Sequence, residues 1–260
     1  MSSGAEARRV VAVTGGAGGI GSATARVFAS RGWDVAVLDQ PLAAAAGAAL
    51  AAELGGDSRA LWVPCDVGSA EAVSAAFARV AAWRPAALDA LVSMAALFTY
   101  GEVHTVPASA WDDVLRVNVR GTALCCAEAV RRMRARRSGA IVVVGSITGS
   151  TAFPAFVPYS ATKAALPQMA RDMALDNGAF GIRVNCCAPG PIFTAGGTVA
   201  HAEREGRPVQ ELADELARDV ALRRMGTAEE CARAIYFLCS EDAAYVTGTT
   251  LHVDGGFCRK

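Results

Sequence analysis

The run VVAVTGGAGGIG, residues 10–21, passes from a short apolar stretch into a glycine-rich turn, and helix-forming residues follow it directly. Because glycine has no side chain, such a turn lets the backbone N–H groups at a helix N-terminus come close to a phosphate. The order strand, glycine turn, helix therefore predicts the first half of a βαβ unit.

The same alternation of valine-rich runs and longer stretches of helical period continues to the end of the chain. Continuously apolar strands are buried on both faces, as in a parallel sheet covered by helices. We expect one doubly wound α/β domain of the Rossmann type over residues 1–260, with a seven-stranded parallel sheet and helices on both faces. The predicted strands are 10–14, 34–39, 60–67, 88–95, 140–146, 182–189 and 249–255, and the predicted later helices are 42–54, 69–83, 108–136, 157–178 and 227–240.

Residues 191–225 break this rhythm. A glycine pair, Gly196 and Gly197, precedes a charged, helix-forming run. A helical flap on a glycine hinge, closing over a ligand at the carboxyl edge of the sheet, would have this composition. A surface excursion without a role fits the composition equally well.

Composition limits the classes of partner. The chain has 25 basic and 25 acidic residues, and its 19% of charged residues is below the roughly 25% of an average protein, so we expect neither a nucleic acid nor a membrane as partner. The cysteines include two adjacent pairs but no CxxC motif, so neither a metal site nor a disulfide framework is expected. With no signal peptide or membrane span predicted, we expect a cytoplasmic protein.

Lys163 is unusual in a chain with 23 arginines and one other lysine, at the last position. It follows Tyr159 by four residues in YSATK, so on a helix the two side chains share one face. A tyrosine acting as a base near neutral pH must lose about 3 pK units, and a cation at about 4 Å supplies roughly that much. The spacing predicts that Lys163 lowers the pKa of Tyr159. Taken alone, it also fits an exposed lysine beside a buried tyrosine.

Asp39 closes the second predicted strand, 20 positions beyond Gly19. A carboxylate there can accept hydrogen bonds from both ribose hydroxyls of an adenosine, whereas a 2′-phosphate would bring like charges together. No arginine or lysine occurs in residues 14–21. We therefore predict NAD as cofactor, preferred over NADP. The alternative role for Asp39 is a turn cap ahead of Pro41.

Together these motifs resemble the short-chain dehydrogenase/reductase family over essentially the whole chain. The matching pieces are TGGAGGIG, Asp39, CDV at 65–67, Asn118 in VNVRG, Ser146 in GSITG, YSATK, RVNCCAPGPIFT and the VDGG near the end. The resemblance implies hydride transfer between NAD(H) and a secondary alcohol or ketone. By analogy with the family, it also implies a homotetramer.

The expected catalytic residues are Asn118, Ser146, Tyr159 and Lys163. Tyr159 is the predicted general acid/base, and Ser146 positions the substrate oxygen. The resemblance implies that Asn118 supports a water linking Lys163 to solvent. The residues expected to bind the cofactor are Gly15, Gly18, Gly19, Ile20, Gly21, Asp39, Asp66, Val67, Ala95, Tyr159, Lys163, Pro189, Ile192 and Thr194. In the family, the pair at 66–67 holds the adenine, and Ile192 and Thr194 meet the nicotinamide carboxamide.

The expected substrate site is apolar and aromatic, which favours a neutral small molecule over a charged acid. Its predicted residues are Phe98, Ser146, Thr148, Phe153, Phe156, Tyr159 and Phe193, with Leu97 as a further candidate. The run AALF, residues 95–98, resembles that of some polyol and sugar dehydrogenases, so a polyol or sugar is one expected substrate class.

Three features depart from the family pattern. SMAA, residues 93–96, replaces the usual NNAG, and Ser93 offers only part of an asparagine's hydrogen bonding. Gly18 also fits the TGxxGxxG of sugar-nucleotide epimerases and dehydratases, so an NAD-retaining epimerase or dehydratase is the alternative enzyme, and a non-catalytic NAD-binding protein is a third possibility. Pro167 removes one hydrogen bond of the predicted catalytic helix, so we expect a kink or loosened turn at 163–167.

Overall fold

A sheet of seven parallel strands forms the centre of the computed structural model, which describes residues 8–85 and 88–257. The strands are β1 (Val10–Thr14), β2 (Asp34–Asp39), β3 (Ala60–Pro64), β4 (Ala90–Ser93), β5 (Gly139–Val144), β6 (Ile182–Pro189), β7 (Ile192–Phe193), β8 (Gly226–Thr227) and β9 (Thr250–Val253). The order in the sheet is β3-β2-β1-β4-β5-β6-β9, while β7 and β8 pair only with each other. The predicted fold class and all seven predicted strands are confirmed.

Helices cover both faces of the sheet. They are α1 (Gly19–Ser30), α2 (Ala44–Glu53), α3 (Ala70–Trp83), α4 (Ala108–Leu115), α5 (Thr122–Arg136), α6 (Val157–Asn177), α7 (Ala200–Glu205), α8 (Val209–Asp219) and α9 (Ala228–Cys239). Alternate residues of β1 enter opposite apolar layers, with Val10 in the layer of α3, α5 and α6 and Val11 in the layer of α1, α2 and α9. This alternation follows from the period of two in a strand.

The helix predicted over 108–136 is not regular throughout. A π-helical segment, Arg116–Gly121, separates α4 from α5. Such segments occur mostly as short irregularities within helices, often at functional sites. The segment contains Asn118, one of the predicted catalytic residues.

The loosened turn expected at Pro167 is not found. Helix α6 is continuous from Val157 to Asn177 with Pro167 in its interior. Pro167 cannot donate to the carbonyl of Lys163, and that carbonyl oxygen lies 2.8 Å from the position a Cβ on Gly149 would take. The helix tolerates the proline because the flanking turns pack against the sheet, with Leu166 and Ala170 in the apolar layer.

The strand order reverses beside β1, which has β2 on one side and β4 on the other. In open α/β sheets, ligands bind in the crevice at the carboxyl ends of the strands where this reversal occurs. The segment predicted as a flap contains a π-helical turn at Ala195–Val199, followed by α7 and α8. None of the helices in the described ranges is both long enough and apolar enough to cross a membrane.

Candidate active site

The glycine turn joins β1 to α1 at the carboxyl edge of the sheet. Gly18 is the N-cap of α1 and provides no side-chain cap, so the first N–H groups of the helix remain available to a ligand. A Cβ on Gly21 would lie 2.0 Å from the Gly15 carbonyl oxygen, and a Cβ on Gly19 would lie 2.8 Å from the Thr194 Cβ. Only a glycine backbone fits this turn, and its open helix N-terminus suits the pyrophosphate of a dinucleotide.

Asp39 lies at the end of β2, beside this turn, as the sequence predicts. Its Oδ2 accepts a hydrogen bond from the Ala17 N–H at 3.0 Å, and its Oδ1 accepts one from the Gln40 N–H at 2.8 Å. The carboxylate is therefore fixed next to the glycine turn, where it can meet the ribose of an adenosine.

Asp66 has a partner that the sequence analysis missed. Arg116 donates from Nη1 to Asp66 Oδ2 at 3.1 Å, and the Gly68 N–H donates to Asp66 Oδ1 at 2.9 Å. The neighbouring Val67 is buried and lies against Gly121. Arg116 is the first residue of the π-helical segment, and no local pattern pairs it with Asp66, which is 50 residues away.

Two segments predicted to lie near the nicotinamide pack against each other, namely the end of β1 and the run that follows β4. The Thr14 hydroxyl oxygen accepts hydrogen bonds from the N–H groups of Met94, at 3.0 Å, and Ala95, at 3.3 Å. These bonds fix the backbone of the unusual SMAA run, in which Ser93 is buried at the end of β4. The missed role of Thr14 has a sequence signal, since it opens the glycine motif.

Of the remaining predicted cofactor residues, Thr194 borders the glycine turn, since a Cβ on Gly19 would lie 2.8 Å from the Thr194 Cβ. Pro189 ends β6, and Ile192 begins β7. The Thr194 hydroxyl caps the following π-helical turn by accepting a hydrogen bond from the Gly197 N–H at 3.1 Å. Ile20, in the first turn of α1, packs against the apolar layer of that helix. The flap therefore begins directly over the N-terminus of α1.

Ser146, Tyr159 and Lys163 come together as predicted. Ser146 follows β5, and Tyr159 and Lys163 occupy successive turns of α6. Ser146 lies close enough to Tyr159 for its hydroxyl to lower the pKa of the phenol. Lys163 Nζ lies 5.6 Å from the centre of the Tyr159 ring and donates to the Val144 carbonyl oxygen at 2.8 Å.

The electrostatics differ from the prediction. Burial raises the pKa of Tyr159, and Tyr100 raises it further. The Ser146 hydroxyl lowers the same pKa, but by less. Burial also lowers the pKa of Lys163 to about 8. The expected lowering of the Tyr159 pKa by Lys163 is therefore wrong for the protein alone, because desolvation disfavours charge on both groups.

The Asn118 side chain bonds to the loop after β4. Its Oδ1 accepts from the Leu97 N–H at 2.7 Å, and its Nδ2 donates to the Leu97 carbonyl oxygen and to Thr162 Oγ1, both at 3.0 Å. Thr162 in turn donates to the Tyr159 carbonyl oxygen at 2.7 Å. Asn118 thus holds the loop that carries Phe98 against the catalytic helix. The water expected at Asn118 stays a prediction.

An aromatic cluster surrounds Tyr159. Phe98 stacks on the Tyr159 ring at 4.5 Å, and Phe156 meets the same ring nearly edge-on at 6.3 Å. Tyr100 and His201, which the sequence analysis missed, extend the cluster toward the flap. These two residues are far apart in the chain and share no motif, so no sequence signal linked them to the site.

The other predicted substrate residues divide into two groups. Phe153 contacts Phe156, with ring centres 5.8 Å apart, and joins the cluster. Thr148 donates its N–H to Ser146 Oγ, and it lines a cavity of about 320 Å³ beside the loop that follows β5. By contrast, Phe193 is half exposed on β7 and makes no ring contact within the described part of the chain. The structure does not bring Phe193 to the cluster.

Comparison with known proteins agrees with this geometry. The sequence profile of the family described as enoyl-(acyl carrier protein) reductase matches residues 15–258. The chain is 40% identical over 252 residues to cis-4-hydroxycyclohexanecarboxylate dehydrogenase of Sinomonas cyclohexanicum, covering 96% of this chain and 97% of that protein. It is 36% identical over 256 residues to dehydrogenase/reductase SDR family member 4 of Mus musculus, covering 95% and 86%. The chain belongs to the short-chain dehydrogenase/reductase family.

Solved structures extend the agreement to the fold. The crystal structure of levodione reductase matches this short-chain dehydrogenase/reductase with a TM-score of 0.89 and 29% identity, covering 95% of this chain and 96% of that one. As a member of the family, the protein is an oxidoreductase that acts on CH–OH groups with a nicotinamide cofactor.

Proposed function

We propose that this short-chain dehydrogenase/reductase uses NAD(H) to interconvert a neutral secondary alcohol and its ketone, with Tyr159 as general acid/base. The observation that carries the proposal is the placement of Ser146 beside Tyr159, with Lys163 one turn away and its Nζ 5.6 Å from the Tyr159 ring centre, at the edge where the glycine turn lies. The relative from Sinomonas, named for a hydroxyl on a cyclohexane ring, supports a secondary alcohol as the reacting group.

Each residue of the set has one task. Bound NAD(H) supplies the exchange of a hydride with the carbinol carbon. Ser146 orients the substrate oxygen by hydrogen bonding, and Tyr159 exchanges the proton of that oxygen. The raised pKa of Tyr159 keeps the phenol protonated in the protein alone, ready to donate in the direction of ketone reduction. Lys163 adds positive charge beside the ring when it is protonated.

Two features support NAD over NADP. The Asp39 carboxylate lies beside the glycine turn, held by the Ala17 and Gln40 N–H groups. A 2′-phosphate would approach this negative charge without a basic residue in the turn to balance it.

The decisive experiment replaces Tyr159 by phenylalanine. We expect turnover to fall by about 10²-fold or more, the usual contribution of a general acid/base, while NADH binding, followed by fluorescence titration, is retained. Tyr245→Phe, on a fully exposed tyrosine, is the matched control and should leave activity unchanged. Full activity of Tyr159→Phe would refute the role.

The same assay separates the proposal from an epimerase or dehydratase. A dehydrogenase converts added NAD to free NADH in proportion to alcohol consumed, seen as near-ultraviolet absorbance. An enzyme that retains its NAD changes the substrate with no net NADH. Product formation without NADH would therefore favour the alternative class.

We also propose a cytoplasmic homotetramer. The cysteines identified as free, such as Cys125 and Cys187, are buried, which suits a reducing compartment. Leu175 on α6 is 85% exposed, and an exposed apolar side chain of this size is suited to a subunit contact. Light scattering after size-exclusion chromatography should give four times the 26.7 kDa of one chain, and the mass of a single chain would contradict the tetramer.

A further inference from the structure

The aromatic side chains next to Tyr159 form a corner with two walls. The first wall consists of near-parallel rings, because Phe98 lies at 15° to Tyr159 and at 12° to Tyr100. The second wall is Phe156, which lies at 75° to Tyr159 and at 85° to Tyr100. A flat group placed in this corner meets ring faces on one side and a ring edge on the other, the two arrangements that aromatic rings prefer.

Hydrogen bonds and a β-bridge hold the two walls of the corner in place. The Asn118 amide forms hydrogen bonds with both the N–H and the carbonyl oxygen of Leu97, and these bonds fix the backbone next to Phe98. A β-bridge between Gly101 and Phe156, with the Gly101 N–H donating to the Ala155 carbonyl at 2.7 Å, ties the two walls together. Phe98 nevertheless keeps 42% of its surface exposed, so its ring can accept a ligand.

The flap covers the far end of the corner with side chains that already have partners. His201 lies 5.6 Å from the Tyr100 ring and 6.0 Å from the Phe156 ring, and its Nε2 is hydrogen-bonded to Glu205 at 2.9 Å. Arg204 stacks over Tyr100 at 4.0 Å. A polyol lying here would lose its contacts with water and would face aromatic rings instead. Some of its hydroxyl groups would then be left without hydrogen bonds.

We propose that the substrate is a ring-bearing secondary alcohol or ketone, alicyclic or aryl, and that Phe98 is the specificity-determining residue on which the ring lies. This inference rests on the proposed function and narrows its substrate class. It places the carbinol at Ser146 and Tyr159 and the ring in the corner of Phe98 and Phe156, and it disfavours the polyol or sugar suggested by the AALF run.

The test compares alcohols of three shapes with NAD. Cyclohexanol and 1-phenylethanol represent rings, 2-butanol and 2-octanol represent open chains, and xylitol and sorbitol represent polyols. We expect kcat/KM for the rings to exceed that for the chains and polyols. Phe98→Ala should lower kcat/KM for the rings by about tenfold, in line with the loss of a ring contact, and change that for 2-butanol by less than about threefold.

Two further variants make the result specific. Phe98→Tyr keeps a ring and should keep the preference, whereas Phe98→Leu keeps apolar bulk without a ring face and should lose the preference for 1-phenylethanol. Phe237→Ala, which removes a phenylalanine of similar exposure on α9, is the matched control and should leave both rates unchanged. NADH binding of every variant reports whether the fold is intact.

The possible failures are distinct. If no secondary alcohol of any shape yields NADH, the proposed function fails. If chains or polyols react as well as or better than rings, only the substrate class is overturned. An equal loss for rings and 2-butanol in Phe98→Ala would mean that Phe98 positions Tyr159 rather than the substrate, and would overturn its role in specificity.

Discussion

Burial is the main cause of the pKa shifts of Tyr159 and Lys163, the predicted catalytic pair. Tyr159 and Lys163 are 6% and 3% exposed, so desolvation favours the neutral form of each, raising the pKa of the phenol and lowering that of the ammonium to about 8. The sequence argument weighed only the attraction of a nearby cation. In the folded chain the cation has its own partner, the Val144 carbonyl.

The lowered pKa of Lys163 gives a prediction about stability. Between the folded value of about 8 and the ordinary value of 10.5, the unfolded chain holds a proton on Lys163 that the folded chain has lost, so the contribution of Lys163 to stability rises with pH in that window. Below it, Lys163 is charged in both states, and burying the charge opposes folding. Replacing Lys163 by methionine should remove this contribution, so the stability of the variant relative to the wild type should fall between about pH 7 and about pH 10, as measured by urea unfolding.

The control for Lys163→Met is Arg171→Met, which removes an exposed cation from the same helix. It should leave the pH dependence of stability as it is in the wild type. The unpaired Val144 carbonyl lowers the stability of Lys163→Met by the same amount at every pH, so the slope is the informative quantity. Equal slopes for the wild type and Lys163→Met would contradict the prediction.

Asp39 is the residue expected to set cofactor preference. Asp39→Asn removes the negative charge and keeps an oxygen that can accept from the Ala17 N–H. We expect the ratio of kcat/KM with NAD to that with NADP to fall by about tenfold, equivalent to about 1.4 kcal/mol. Asp57→Asn, on an exposed loop, should leave the ratio unchanged. An unaltered ratio in Asp39→Asn, or a wild type that prefers NADP, would refute the assignment.

Among the elements, helix α6 carries two predicted catalytic residues, Tyr159 and Lys163, and also a proline in its interior, which is unfavourable in a helix. Pro167 leaves the Lys163 carbonyl without its helical hydrogen bond, although the helix is continuous. Pro167→Ala restores the N–H donor and should raise the free energy of unfolding by about 1–3 kcal/mol, measured by urea denaturation. Ala161→Gly, at an exposed position of the same helix, should lower it by about 1 kcal/mol. Lower stability of Pro167→Ala would show that the proline fits its surroundings better than the helix does.

The elements also show what could be predicted from sequence. Runs such as 34–39 and 182–189 are buried on both faces, so hydrophobicity alone located β2 and β6 with their observed ends. The pair β7 and β8 has two residues in each strand, too short for any periodicity. The π-helical segment contains Asn118, whose side chain bonds to Leu97 and Thr162, and no local pattern encodes these distant partners.

The candidate site divides in the same way. Ser146, Tyr159 and Lys163 were predictable because their chemistry constrains residue type and spacing along the chain. Tyr100 and His201 were not, since only the folded chain brings the flap against the loop after β4. Residues that bind a particular substrate depend on such long-range packing, and they carry no fixed spacing.

Across the whole molecule, the two edges of the sheet have different roles. The carboxyl edge holds the glycine turn and the predicted catalytic residues. At the amino edge, Asp34 begins β2 and is 2% exposed. It pairs with Arg59 Nε at 3.1 Å and Arg84 Nε at 2.8 Å. This carboxylate therefore joins β2 to the segments that precede β3 and follow α3.

Because the amino edge is remote from the chemistry, a change there should alter stability without altering turnover. Asp34→Asn removes the buried charge that pairs with Arg59 and Arg84, and we expect the free energy of unfolding to fall by about 2 kcal/mol. We expect the loss of stability to be no larger because Arg59 and Arg84 are 28% and 29% exposed, so water can solvate their guanidinium groups in the variant. Asp242→Asn, on the surface, should change neither property. A drop in kcat for Asp34→Asn at full cofactor saturation would show that the two edges are coupled, contrary to this division of roles.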